Sequence, residues 1–258
     1  MTEPVVIVET DEEGVASVCL NRPKRLNAWS EDLSAALLEA LDKIAADPAV
    51  KGVVLTGRGR AFSAGADLKD PQTHRVDSIE EALESPSARG RPIFDLVSHY
   101  DKPILCAVNG YAIGVGCLVP LCCDFIYAAR SAQFQLPQVS LGILPAYGGA
   151  LRLVRAVGEL NAREMILTGR KITAEEAYHW GLVARLLSDD ELMPVALQTM
   201  RSIVQQPPYA VSFARESIQM AVDANNMRAA ELSDAYRSLI LQQLQDTKRR
   251  HDTWRSRR

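Results

Sequence analysis

The sequence predicts an α/β core followed by a helical C-terminal region. In the first half, short β-rich apolar runs alternate with amphipathic and glycine-bounded stretches, as strands and helices do around one core. From Leu192 onward the pattern is helical almost throughout, broken at Pro207-Pro208 and near Asn225-Asn226. At 258 residues, 47% hydrophobic and 24% charged, the chain is long enough to bury a large core.

The elements follow in order. Pro4 to Glu9 and Val15 to Leu20 are β-rich runs joined by Asp11-Glu12-Glu13-Gly14, which reads as a hairpin. Ser30 caps an amphipathic helix with Leu33, Leu37, Leu41 and Ile44 on its apolar face. Val53 to Leu55 is a short buried strand followed by a glycine turn. Ile104 to Val108, stopped by Asn109-Gly110, and Asp124 to Ala129 are two more. Thr173 with Glu176 is a capping box at a helix start. The polar stretch from Lys69 to Gly90 reads as a loop or surface helix.

Composition excludes several classes of function. A net charge of −3 gives no global attraction to nucleic acid, and the basic end of the chain (KRRHDTWRSRR) carries one aromatic, Trp254. The longest apolar stretch, Ile113 to Cys123, is too short for a membrane span. The N-terminus has no secretory pattern. The five cysteines fit no zinc signature and read as reduced thiols, so a cytoplasmic protein is expected.

Three glycine-bearing segments carry the chemistry: Ala61–Lys69 (AFSAGADLK), Asn109–Cys117 (NGYAIGVGC) and Leu141–Gly149 (LGILPAYGG). A glycine at a strand end lets backbone amides approach a ligand, and a strand–glycine–helix turn leaves free N–H groups pointing outward. Two such turns facing one another would form a two-donor site for a developing oxyanion. Purely structural turns are the other reading that spacing leaves open. The segments lack the third glycine of a dinucleotide fingerprint, and no Walker A pattern exists.

Taken in order, these segments resemble the crotonase, or enoyl-CoA hydratase/isomerase, superfamily. The resemblance rests also on Leu20–Ala28 (LNRPKRLNA), Lys102-Pro103-Ile104, Cys123-Asp124, Leu151-Arg152-Leu153, Leu167–Ala177 (LTGRKITAEEA) and Trp180–Val183. It implies a ClpP/crotonase-like β-β-α spiral over residues 1–195. Residues 196–258 would form a helical trimerisation region, in a homotrimer or homohexamer. It also implies an acyl-CoA substrate, with coenzyme A entering only as part of that substrate and no other cofactor. The amides of Ala66 and Val115 would polarise the thioester carbonyl. Lys24, Arg25 and Lys69 would meet the CoA phosphates, and Leu26, Ala64, Asp67, Leu68 and Leu118 would line the substrate.

Two positions depart from the family pattern. Hydratases of this family act on water with two glutamates, and here those positions hold Leu118 and Gln138. Leucine carries no proton, and a glutamine amide hydrogen-bonds without serving as a base. Standard hydration is therefore not expected. Decarboxylation, thioester hydrolysis and C–C cleavage, which share an oxyanion intermediate, are the enzymatic alternatives, and a non-catalytic acyl-CoA binder is another. Tyr147, within the third segment, is a candidate donor to a substrate carboxylate or enolate. Asp70, His74, Asp77, Glu80, Glu81 and Glu84 lie on the loop after the first segment. Asp67 and Asp124 read as structural carboxylates, and Cys117 lacks a visible base.

Overall fold

A computed structural model describes residues 3–70, 92–223 and 227–255. The strands divide between two sheets. β1 (Val6–Thr10), β2 (Val15–Leu20), β3 (Gly52–Gly57), β5 (Ile104–Val108), β7 (Phe125–Ala129) and β10 (Arg185–Leu187) lie side by side in that order. β4 (Ala61–Ser63), β6 (Tyr111–Ile113), β8 (Gln133–Gln135) and β9 (Ile172–Thr173) form the second sheet. The hairpin β1–β2 is antiparallel, as expected, and the rest of the large sheet is parallel.

The chain passes from the large sheet to the small one three times, from β3 to β4, β5 to β6 and β7 to β8. Each passage uses only a few residues. Each of these β–β units advances one strand in both sheets, which makes a spiral. β3, β5 and most of β7 are buried on both faces, which is why they read as unbroken apolar runs rather than as alternating ones.

Helices cover the two faces. α1 (Glu31–Ala46) begins where Ser30 Oγ accepts the Leu33 N–H at 3.3 Å, and it buries Leu33, Leu37, Leu41 and Ile44. α2 (Pro92–Ser98) and the four-residue α3 (Val115–Leu118) follow, and then the long α4 (Gly149–Thr168). α4 is broken at Gly158, whose φ of 77° lies outside the helical region. The capping box at Thr173 and Glu176 starts α5 (Ala174–His179) as expected.

The helical end of the chain comprises α6 (Leu192–Val204), α7 (Pro208–Asp223), α8 (Met227–Gln243) and α9 (Gln245–Arg255). The boundary placed between residues 195 and 196 falls inside α6. That helix packs Leu192, Ala196 and Met200 on Val54, Leu105 and Tyr127 of the large sheet, so it belongs to the core. Asp124 ties strand to helix: its carboxylate accepts the Ile104 N–H at 2.7 Å and Arg215 Nε of α7 at 2.8 Å. No described helix is long and apolar enough to cross a membrane.

Candidate functional site

β4 and β6 are neighbours in the small sheet, and both run into a glycine turn. Gly65 has φ 91° and Gly114 φ 55°, so both need the freedom of glycine. The turns abut: a Cβ at Gly65 would sit 2.7 Å from the Ile113 carbonyl oxygen and 3.8 Å from Gly114 Cα. Pairing of β4 with β6 thus places Ala66 and Val115 together, one residue beyond each glycine.

The hydrogen bonding around these turns is selective. The Ala64 N–H donates to the Leu26 carbonyl, the Gly65 N–H to Ser63 Oγ, the Asp67 N–H to the Trp29 carbonyl and the Gly114 N–H to the Gln135 carbonyl. Among the described residues, the N–H groups of Ala66 and Val115 donate to nothing. Val115 opens α3, so its free N–H also lies at the positive end of a short helix. Two unengaged amides on apposed turns are the arrangement that binds a polarised carbonyl oxygen.

The first turn is held rigidly from below. Asp67, 8% exposed, pairs with Arg22 Nη2 at 3.0 Å. Burial pushes its carboxyl up, but the Arg22 bond and the Lys69 N–H outweigh burial and hold it below the usual carboxylate range. Asp67 thus ties Arg22 to the Lys69 N–H beneath the turn. Asn27, fully buried, accepts the Arg22 N–H at 2.8 Å and donates to the carbonyls of Arg58 at 3.1 Å and Ala61 at 2.7 Å. Sequence reading missed this residue, because nothing in its spacing marks it as buried.

Gln138 and Leu118 border the second turn. Gln138 Nε2 lies 3.8 Å from the Cβ position of Gly114, while its Oε1 is buried without a partner. Leu118, 4% exposed, packs against Gly149 so closely that a Cβ there would meet its Cδ2 at 2.5 Å. Tyr147 stacks on Phe94, with ring centroids 5.1 Å apart and planes 13° from parallel. It holds a positive φ of 56°, an uncommon conformation for a side-chain-bearing residue.

Lys24 and Arg25 are exposed on the 3-10 turn Pro23–Arg25. Leu26 follows it in the left-handed region and accepts the Ala64 N–H at 2.9 Å. The cations are thereby tied to the end of β4. Leu68 and Lys69 are exposed beyond Asp67. Asp70 accepts the Glu31 N–H at 3.4 Å. His74, Asp77, Glu80, Glu81 and Glu84 lie outside the described residues. Cys117 is buried and its thiol is pushed up to about 12 by desolvation, so it is no nucleophile near neutral pH.

Two stacked β–β ladders in a spiral, with glycine turns apposed at one edge, define the class of α/β fold to which the chain belongs. The chain belongs to the enoyl-CoA hydratase/isomerase family, whose model matches residues 10–252. It is 38% identical to the mitochondrial enoyl-CoA hydratase of Pongo abelii, over 84% of this chain and 73% of that protein. It is 36% identical to a crotonyl-CoA hydratase of Syntrophomonas wolfei, over 89% and 88%. The crystal structure of an enoyl-CoA hydratase from Bacillus anthracis superposes with a TM-score of 0.90 at 30% identity, over 98% of this chain and 97% of that one. The fold is the crotonase spiral with a helical C-terminal region.

Proposed function

We propose that this protein processes acyl-CoA thioesters by stabilising an enolate or tetrahedral oxyanion, and that its reaction does not run through a pair of glutamates. The observation that carries this reading is the pair of unengaged N–H groups at Ala66 and Val115, on turns whose Gly65, Asp67 and Gly114 amides all have partners. Each such donor is worth roughly 10²–10³ in rate when charge develops on the oxygen it faces. The relatives named hydratases support a CoA thioester as the substrate.

Leu118 gives one wall of the acyl site no proton to move. Gln138 brings a buried acceptor, Oε1, which a water or a substrate hydroxyl would satisfy. Gln138 is thus a positioning residue rather than a base. Tyr147, stacked on Phe94, is a wall of the acyl site. Lys24, Arg25 and Lys69 are the cations for the CoA phosphates, and Leu26, Ala64, Asp67 and Leu68 shape the entry beside them. Val139, Leu141, Ile143, Leu144 and Leu151 are large apolar side chains exposed close together in sequence, Leu144 to 76%, which supports self-association as a trimer or hexamer.

The test is mass spectrometry of enoyl-, malonyl-type and β-keto-CoA thioesters incubated with the protein in heavy-oxygen water. Oxygen label in an acyl product with release of CoA indicates hydrolysis, and loss of CO₂ indicates an enolate-forming decarboxylase. Rapid label uptake at the β-carbon of an enoyl-CoA would overturn the exclusion of hydration. Binding without turnover would replace the enzyme reading with a thioester carrier.

A further inference from the structure

Among the described residues only two buried side-chain polar atoms lack a hydrogen-bond partner, Gln138 Oε1 and Arg152 Nε. They flank Leu118. Gln138 borders Gly114, at the start of the helix that Leu118 ends. Arg152 Nε lies 3.5 Å from the Cβ position of Gly148, the neighbour of the glycine that Leu118 touches. Arg152 also lines a cavity of about 490 Å³, together with Ser98, Leu121, Cys122, Ile218 and Val222. Cys122 Sγ donates to the Leu118 carbonyl at 3.6 Å, so one wall of this cavity is the helical turn that follows Leu118.

The cavity wall carries Asp124 as well as Arg152, but among the described residues Arg152 has no ion-pair partner. Arg215, also on its wall, is engaged by Asp124 at 2.8 Å. No described carboxylate comes within ion-pair distance of Arg152. A buried guanidinium N–H with no acceptor is costly, and its planar fork fits a carboxylate. From Val115 to Cys122 the chain advances seven residues in helical turns, roughly 10–14 Å, which a medium-length acyl chain spans.

We propose that the acyl group accepted here carries a second carboxylate at its far end, held by Arg152. The substrate class is then a CoA thioester of a dicarboxylic acid. This rests on the reading of Ala66 and Val115 as the thioester site.

The test is calorimetric titration with saturated thioesters, which carry no double bond to react. Six-, eight- and ten-carbon chains ending in carboxylate are compared with the same lengths ending in methyl. At the best-matching length the carboxylate-ended thioester should bind at least about tenfold tighter, the effect of one charge-assisted hydrogen bond. Arg152→Met should abolish or reverse that ratio, and Arg152→Gln serves if the methionine variant does not fold. Equal or tighter binding of the methyl-ended series at every length overturns the proposal, as does a ratio unchanged in the variant. Binding of neither series would instead overturn the thioester reading beneath it.

Discussion

Replacing Gly65 with alanine tests whether the two turns act as one oxygen-binding unit. Two costs can be read from the structure. At φ 91° a side chain is strained, by about 1–2 kcal/mol for a residue forced left-handed. The new methyl would also meet the Ile113 carbonyl oxygen at 2.7 Å, a backbone atom that yields only if the turns separate. Gly142 isolates the first cost: its φ is 73°, but nothing lies within 4 Å of its Cβ position. Gly142→Ala should therefore lose about 1–2 kcal/mol in urea denaturation and leave the site unchanged. Gly65→Ala should lose about 2–5 kcal/mol, since overpacking adds its own 1–3 kcal/mol. Separated turns aim only one N–H at the thioester oxygen, so turnover should fall by roughly 10²–10³. The vibrational frequency of an isotope-labelled thioester carbonyl reads the same event without turnover. It should shift downward on binding to the parent and to Gly142→Ala, and much less on binding to Gly65→Ala. A Gly65→Ala protein that is destabilised yet shifts the carbonyl like the parent would refute the reasoning.

Installing both missing carboxylates, Leu118→Glu with Gln138→Glu, should raise hydration of a short enoyl-CoA by about 10²–10⁴, while either single change yields far less. Spectrophotometric loss of the enoyl chromophore measures it. Asn27→Ala should cost about 2–4 kcal/mol in urea denaturation, because one buried and two part-buried backbone groups lose their partner. Asp67 is held below its ordinary pKa in the fold, so its contribution is present above the usual carboxylate pKa. It is lost as pH falls through the depressed folded value. Asp67→Asn should therefore lose stability at neutral pH but little in strong acid, and urea midpoints at the two pH values should show the gap closing.

Local signals in the sequence carried over directly. The Ser30 cap, the β1–β2 hairpin and the Thr173–Glu176 box each depend on contacts within a few residues, so residue type and spacing suffice. β4, β6 and β8 are three residues each, too short for a periodic pattern to register. Their pairing is what brings the glycine segments face to face. The positions of Leu118 and Gln138 were legible through family order. Nothing in the sequence shows that Gln138 Oε1 and Arg152 Nε are buried without partners, because that depends on packing among segments far apart in the chain. Phe94 beneath Tyr147 is hidden for the same reason.

The two donors at Ala66 and Val115 are main-chain atoms, and every residue type except proline supplies the same group there. A gene for this protein can therefore exchange the side chains at 66 and 115 and keep the proposed oxygen-binding pair, provided the glycine before each is spared. Acid and base groups have no such protection, since one codon change at 118 or 138 removes them. On the proposed reading, carbonyl activation thus tolerates side-chain exchange that proton transfer does not. A lineage can shed one reaction and acquire another around an unchanged pair of amides.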